Sequence, residues 1–150
     1  MQIVLRGPAA GYEAEHVARM FFPDAVLAGA DCPLEDPAAD VVAAIDHSVA
    51  QLVYLRRGGD LFWHMETVDR DMPAKQREYA LCRMLYTLAR EHTGIRPPWG
   101  MMTGVRPVRI IHDMRDAGAT EGQIRDRFLQ EYDCTPERFA TALAIADLQR

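Results

Sequence analysis

The amino-acid sequence predicts an α+β protein, an antiparallel sheet of about four strands backed by helices and followed by a small helical segment. Three observations lead to this fold class. Short runs of β-branched and aromatic residues, bounded by Gly and Pro, fill much of the first half. A long helical pattern follows Pro73. The last third carries several helix-start signals, so the predicted order is β-α-β-β-β-α and then about three helices.

Glycine and proline residues mark the ends of the first predicted elements. "MQIVLRG" predicts a strand that stops at Gly7-Pro8, where the turn residues begin. "YEAEHVARMFF" places its apolar residues on one helical face and ends before Pro23. The segment after Pro23 is rich in Pro, Asp and Ala, and we expect loop there with one short strand around Val26-Leu27.

Three further strands are expected in "DVVAAIDH", "QLVYLRR" and "DLFWHMETV". Gly58-Gly59 joins the last two as a hairpin, because glycine accepts the positive φ of the tight turns that fit twisted strands. Side chains alternate along a strand, so the last strand has two distinct faces. One face carries Leu61, Trp63 and Met65, and the other carries Phe62, His64 and Glu66.

Glycines and capping residues mark the boundaries of the predicted helices. A helix is expected from Pro73 to about His92 with Gly94 as its C-terminal cap, and another with Pro107 in its first turn. "TEGQ" has the capping-box pattern, and "CTPERF" offers Thr135 as an N-cap. The expected organisation is an α+β domain over residues 1–94, a Gly/Pro bridge over 95–104 and a helical segment over 105–150.

Charge and hydropathy narrow the function classes. The chain of 150 residues has a formal net charge of −5, and residues 1–50 hold two Arg against eight acids. An acidic first third argues against a broad nucleic-acid interface. No apolar run approaches the roughly 18 residues of a membrane span. The first residues lack a signal-peptide pattern, so a cytoplasmic location without membrane partners is expected.

Metal sites are not expected in this chain. Cys32, Cys82 and Cys134 stand singly, whereas thiolate metal sites usually show short Cys spacings. His64-Met65-Glu66 matches the H-x-E part of the zinc deaminase signature, but the partner P-C-x-x-C is missing. Chance is therefore the favoured interpretation of the H-x-E match.

A five-residue word, T-G-I/V-R-P, occurs twice, at Thr93 to Pro97 and at Thr103 to Pro107. The first copy ends a helix, because Gly94 caps it and two prolines follow. The second copy opens a helix. Gly104, Arg106 and Arg109 there could bind a carboxylate or phosphate, although a simple turn and cap, with Arg106 paired to a protein acid, explains the same residues.

The block "PWGMMTGVRPVRIIHDM" (Pro98 to Met114) resembles the region that precedes the catalytic domain in oxygen-independent coproporphyrinogen dehydrogenases of Gram-positive type. These are radical SAM proteins of heme biosynthesis. The opening strand, the helix ending in Phe21-Phe22 and the long helix ending "HTG" occur in similar order, so the resemblance covers most of the chain. Only Trp99-Gly100 and Thr103 to Pro107 are sharp enough to carry specificity.

The resemblance implies a parent enzyme that oxidatively decarboxylates two propionates of coproporphyrinogen III, using a 4Fe–4S cluster and S-adenosylmethionine. The C-x-x-x-C-x-x-C motif that holds such a cluster is absent from these residues. We therefore expect an accessory domain that lacks a cofactor and does not catalyse alone. Its expected partners are a radical SAM domain of the same polypeptide and a porphyrinogen substrate. The candidate binding residues are Trp99, Gly100, Thr103, Gly104, Arg106, Pro107 and Arg109.

Two other functions remain open at this point. A nucleotide- or RNA-binding module could offer Phe62 or Trp63 as a stacking surface. A structural or oligomerisation element without a ligand would instead expose an apolar patch. The last two predicted helices also suggest a helix-turn-helix DNA reader, but the second of them is rich in Ala and poorly suited to contacting phosphates or bases.

Overall fold

The computed structural model describes residues 1–29, 39–102 and 107–149. It divides into two compact units, Met1–Ile95 and Arg96–Arg150. Cys32, Thr103, Gly104 and Arg106 lie outside the described residues, as do residues 30–38 of the predicted loop between the first helix and the third strand. None of the helices in the described part combines the length and the hydrophobicity needed to cross a bilayer.

The first unit is a sheet with two helices on one face, which confirms the predicted α+β class. The strands are β1 (Gln2–Arg6), β2 (Val26–Ala28), β3 (Val41–Asp46), β4 (Ala50–Arg57) and β5 (Asp60–Thr67). The helices are α1 (Tyr12–Phe21) and α2 (Ala74–Thr93). The helix-facing side of the sheet buries Ile3, Val42, Val53 and Leu55, while Val17, Phe21, Leu81 and Leu85 are buried on the helices.

The pairing of the strands corrects the sequence prediction. The sheet has five strands in the order β2-β1-β3-β4-β5, and it is mixed rather than antiparallel. β1 pairs in parallel with both β2 and β3, whereas β3-β4-β5 form an antiparallel meander. The reason is the helix between β1 and β2: a crossover of this kind returns the chain in the same direction. The three-residue β2 thereby becomes the fifth strand.

Local signals placed the turns and caps correctly. Gly58 and Gly59 have φ of 61° and 88° at the β4–β5 hairpin, as primed turns require. Gly94 ends α2 in the left-handed region, and its N–H donates to the Arg90 carbonyl at 3.0 Å. Both sites are therefore glycines for a conformational reason.

The second unit is helical, as predicted. It contains α3 (Pro107–Asp116), α4 (Glu121–Asp126) and α5 (Pro136–Leu148), with a π-helical turn (Arg127–Glu131) continuing from α4. The Thr120–Gln123 capping box forms in both directions, and Thr135 accepts the Arg138 N–H. The core consists of Met102, Ile111, Ile124, Phe128, Cys134, Phe139, Ala142 and Ala146. The rings of Phe128 and Phe139 lie 5.1 Å apart at its centre.

Candidate functional site

The predicted segment around Trp99 and Gly100 is a tight turn held against the turn that precedes α5. Gly100 has φ of 61°, and its N–H donates to the Pro97 carbonyl at 2.9 Å. The Met101 N–H donates to the Tyr132 carbonyl at 2.7 Å. A Cβ at position 100 would overlap that same carbonyl oxygen. Glycine is thus required here both by its backbone conformation and by the close approach of a second backbone segment.

Trp99 and its neighbours complete this attachment. Thr135 donates to the Pro98 carbonyl through both its N–H, at 3.0 Å, and its hydroxyl, at 3.2 Å. The Arg138 guanidinium lies 5.9 Å from the centre of the Trp99 ring, within the range of a cation–π contact. Trp99 also packs against the buried core of the second unit. The Trp-Gly step therefore has a clear structural role in this unit.

The remaining described candidates, Pro107 and Arg109, lie on α3. Pro107 is the first residue of α3, as its fixed φ favours. The Arg109 side chain is 75% exposed, and its Nε lies 3.8 Å from the Asp113 carboxylate. That distance is too long for a strong hydrogen bond, so Arg109 keeps most of its donors available to an external anion. Because Thr103, Gly104 and Arg106 are outside the described residues, the anion site formed with them stays a prediction.

A second candidate site is a groove of about 380 Å³ between β5 and α2. His64 and Glu66 form its strand side, with 2.9 Å between Nε2 and Oε1. On the helix side, the Arg83 Nη1 donates to the Tyr79 hydroxyl at 3.2 Å. The groove is lined by Trp63, His64, Glu66, Tyr79, Ala80, Arg83, Met84, Thr87, Leu88, Glu91 and His92. It offers a mixed polar and apolar wall to an extended or planar group.

The groove does not have the donor set of a metal centre. Within residues 1–29, 39–102 and 107–149, no group of three or more His, Cys, Asp or Glu side chains is placed to hold a metal ion. His64 and Glu66 lie on the same face of the strand, as the sequence alternation predicted, and they form a hydrogen bond to each other. Next to them, the ring of Phe62 stacks on His92 at 3.9 Å. Phe62 is thus partly covered by α2, whereas Trp63 remains 61% exposed.

The cysteines do not fit iron–sulfur ligation either. Burial raises the pKa of the Cys82 thiol from 9.0 to about 12, and the Glu78 and Glu13 carboxylates contribute to this rise. Burial also raises the pKa of Cys134. A cluster ligand must be a thiolate, and Cys82 and Cys134 belong to different compact units. The described thiols are therefore suited to packing, and neither fits a 4Fe–4S cluster.

A buried polar network in the first unit was not predicted from the sequence. Arg77 on α2 donates to both carboxylate oxygens of Asp46, through Nε at 3.2 Å and Nη2 at 2.6 Å. Gln51 donates to Asp46 at 3.2 Å and to the Arg77 carbonyl at 2.8 Å. The Ala9 N–H reaches the same carboxylate at 3.3 Å. The network ties the loop after β1, the end of β3, β4 and the start of α2 to one another.

Two weak signals could have revealed this network. Asp46 ends an otherwise apolar strand, and Arg77 sits on the α2 face that carries Leu81 and Leu85. A charged residue on each of two buried faces indicates an internal ion pair, since an unpaired buried charge is costly. The pair spans 31 positions of sequence, however, so only the fold shows that the two residues meet.

Comparison with known proteins finds a distant relative. The chain is 24% identical over 140 residues to the oxygen-independent coproporphyrinogen-III oxidase-like protein HemZ of Bacillus subtilis. The match covers 90% of this chain and 28% of HemZ. The chain is thus distantly related to HemZ and spans less than a third of that protein's length. No family model and no solved structure matches the chain.

Proposed function

We propose that this chain is the N-terminal accessory domain of a coproporphyrinogen dehydrogenase-like radical SAM protein that acts in heme biosynthesis in the cytoplasm. The observation that carries the proposal is the similarity to HemZ, which covers nearly all of this chain but a small share of the relative. Such coverage is what an accessory region shared by two longer proteins would give. The Trp99 to Pro107 block supports the same assignment from the sequence.

In this proposal the chemistry belongs to the rest of the parent protein. The cluster and S-adenosylmethionine would be bound by a radical SAM domain of the same polypeptide, since Cys82 and Cys134 are poor thiolate ligands. The role of this chain is to bind the substrate or to hold the neighbouring domain in position. The candidate ligand groups are the propionates of the porphyrinogen or a carboxylate of the neighbouring domain.

The residues proposed for that role are Arg106 and Arg109. The Trp99–Gly100 turn is fixed by backbone hydrogen bonds, and Val108, two residues beyond Arg106, packs against the same core as Trp99. Arg109 adds an exposed guanidinium whose neighbouring acid, Asp113, is only weakly engaged. Two guanidinium groups near a helix N-terminus are suited to a carboxylate.

The test uses the full-length parent protein with Arg106→Ala or Arg109→Ala. A charge-assisted contact is worth about 1.5–3 kcal/mol, so we expect KM for coproporphyrinogen to rise roughly tenfold or more while the melting temperature is unchanged. Arg125→Ala is the matched control, because Arg125 is an exposed arginine in the last turn of α4. Unchanged KM, kcat and melting temperature in both variants would remove the two arginines from the mechanism.

A parallel measurement tests the assignment itself. The parent protein should form a cluster and oxidise coproporphyrinogen, whereas the 150-residue chain should do neither. A parent that binds the cluster but leaves coproporphyrinogen untouched would exclude the substrate while retaining the enzyme class. A parent that binds no cluster would exclude the class.

A further inference from the structure

The open edge of β5 presents backbone groups that can be assigned residue by residue. In the described part of the chain, β5 pairs only with β4, and its register with β4 is continuous along the whole strand. The Val68 N–H donates to the Val49 carbonyl at 3.0 Å just beyond the last strand pair, which fixes the alternation of the ladder. The residues that turn their N–H and C=O groups towards β4 are therefore Phe62, His64 and Glu66. Those that turn them towards the open edge are Leu61, Trp63 and Met65.

This edge is long and has little protection against strand pairing. β5 has eight residues without Pro, Lys or Arg, whereas β2, on the opposite edge of the sheet, has only three. Exposed edge strands are commonly short, bulged, or broken by Pro or Lys, because open backbone groups attract another strand. Leu61, Trp63 and Met65 are also 57%, 61% and 55% exposed, so their side chains can contact a strand placed beside them.

The groove between β5 and α2 lies on the other face of the same edge. Phe62 stacks on His92 in the last turn of α2, and a groove of about 380 Å³ continues past His64 and Glu66 along the helix. On the helix side, exposed residues at four-residue spacing line it, namely Arg83, Thr87 and Glu91. Helix residues four apart are separated by about 6 Å along the axis, and strand residues two apart by about 6.8 Å. An added strand can therefore place successive groove-facing side chains beside successive turns of α2.

The groove carries two charges that have no opposite charge beside them. Among the described residues, Arg83 contacts only the Tyr79 hydroxyl through its side chain, and the Glu91 carboxylate has no partner. The two residues are two helical turns apart, about 12 Å along the axis. Glu66, the other acid of the groove, is already bonded to His64 at 2.9 Å. The groove thus has an available cation near the middle of α2 and an available anion in its last turn.

We propose that β5 and this groove bind an extended segment of a partner protein, which adds to the sheet as a strand antiparallel to β5. Backbone hydrogen bonds give such a complex its affinity, and alternate side chains give it specificity. The segment places apolar residues opposite Leu61, Trp63 and Met65. Its groove-facing residues are a hydroxyl opposite Glu66, an acid opposite His64 and a base opposite Phe62.

The charges of the groove set the order of these residues. The acid shares the groove with Arg83 and is directly opposite the His64 imidazole, and the base lies at the Phe62 end, where Glu91 is. Every one of these pairings is attractive, and opposite charges on neighbouring strands stabilise the pairing. Because the added strand runs against β5, the segment reads Thr-x-Glu-x-Lys from N- to C-terminus, where x is apolar. The proposal does not depend on the assignment to heme biosynthesis.

The experiment titrates the 150-residue chain into a fluorescein-labelled peptide, Val-Thr-Val-Glu-Val-Lys-Val flanked by Gly-Ser, and follows fluorescence polarisation. We expect a Kd of about 10–100 µM, since a single added strand is a small interface. The matched probe exchanges the Glu and the Lys and should bind at least about fivefold more weakly. No binding of the first probe, or equal binding of the two, overturns the proposal.

A charge exchange on the protein tests the groove. Arg83→Glu and Glu91→Arg should each weaken the first probe roughly tenfold, and the double variant should prefer the exchanged probe. Both residues are exposed, so the melting temperature should stay as in the wild type. Lys75→Glu is the control, because Lys75 is exposed on the first turn of α2 and lies outside the groove. A double variant that still prefers the first probe shows that these two charges do not select the strand.

Methylation of the probe backbone tests the strand pairing. The amides of the two Val residues that flank Glu point to the Trp63 and Met65 carbonyls in the proposed register, so their N-methylation should abolish binding. N-methylation of the Glu and Lys amides, which point away from β5, should change the Kd by less than about threefold. Equal losses for the two methylated probes contradict strand addition.

Two further measurements distinguish other occupants of the edge. Sedimentation equilibrium of the chain alone should show a monomer; a dimer that Trp63→Lys dissociates would assign the edge to a second copy. The full-length parent should bind the probe as the 150-residue chain does. If only the shorter chain binds it, the edge belongs to a segment of the parent itself, and the partner protein is excluded.

Discussion

The two compact units each hold a turn against a distant backbone segment, but they use different interactions to do so. In the first unit Gly7 lies against the Asp46 carbonyl, and the buried Asp46–Arg77 pair connects the same segments. In the second unit Gly100 lies against the Tyr132 carbonyl, and the attachment consists of backbone hydrogen bonds and apolar packing. In the first unit, a buried ion pair thus helps to hold the turn, whereas in the second unit close backbone packing and hydrogen bonds do so.

The charged groups of the second unit lie nearer the surface. Arg115 donates to Glu121 at 3.0 Å and to Asp147 at 2.8 Å, and both carboxylates are more than half exposed. The hydrogen bonds from Arg115 to Asp147 and Glu121 raise the pKa of the guanidinium, so it remains charged. Water can replace these partners if one is lost, whereas it has little access to Asp46. The same kinds of residue therefore matter to different degrees in the two units.

The largest expected effect comes from breaking the buried pair. Arg77→Ala leaves the Asp46 carboxylate buried without its cation, and this should destabilise the first unit by about 3–5 kcal/mol. Denaturant unfolding followed by fluorescence measures this, with a Trp99→Phe background so that Trp63 reports on the first unit. Arg115→Ala, followed through Trp99 in a Trp63→Phe background, is the control and should have a much smaller effect. Equal losses for the two arginines would show that burial does not distinguish them.

The next largest effect concerns the close backbone packing at Gly100 in the second unit. Gly100→Ala combines a left-handed backbone with overlap against the Tyr132 carbonyl, so we expect a loss of roughly 3 kcal/mol in the stability of that unit. Gly118→Ala is the matched control. Gly118 has φ of 84° but no atom within 4 Å of the added Cβ, and it should lose only about 1–2 kcal/mol from backbone strain. If thermal unfolding gives the same loss for both variants, the close approach at Gly100 contributes nothing.

The smallest effect appears only at high pH. The pKa of Cys82 is raised to about 12 in the folded chain, against 9.0 for an ordinary thiol. The stability that this buried neutral thiol contributes is complete below pH 9 and is lost as the pH rises through 12. At about pH 10 the loss should be about 1 kcal/mol. The Cys82→Ala variant should not show this pH-dependent loss, so the difference in unfolding free energy between wild type and variant should narrow above about pH 9. A difference that is constant from about pH 7 to about pH 10.5 would contradict the raised pKa of Cys82.

Features set by a few adjacent residues were predictable from the sequence. The hairpin at Gly58-Gly59, the cap at Gly94 and the capping box at Thr120 each depend on neighbours within four positions. The two faces of β5 followed from strict alternation in the same way. Such features depend on backbone conformation and short-range hydrogen bonds, which adjacent residues determine.

Features set by distant segments were not predictable. The parallel pairing of β1 with β3 depends on where the chain re-enters the sheet, and no local residue encodes it. The π-helical turn after α4 has no mark in the sequence that sets it apart from a regular helix. For the candidate site, the sequence pattern singled out Trp99 and Gly100 as binding residues, and that role stays a prediction; the contacts of this turn with Tyr132 and Thr135 join segments more than thirty residues apart. The roles of Arg106 and Arg109 in ligand binding stay predictions.

The glycine hairpin between β4 and β5 has a practical consequence. Neither Gly58 nor Gly59 has a neighbouring atom within 4 Å of where a side chain would begin, and the tip is held to the sheet by one hydrogen bond, from the Gly58 N–H to the Asp40 carboxylate at 3.0 Å. Exposed loop tips of this kind are the positions at which added sequence is best tolerated. A short epitope or a fluorophore-binding tag inserted there would sit at one end of β5 without disturbing the core. The hairpin tip is therefore a suitable attachment point for a label that detects binding at β5.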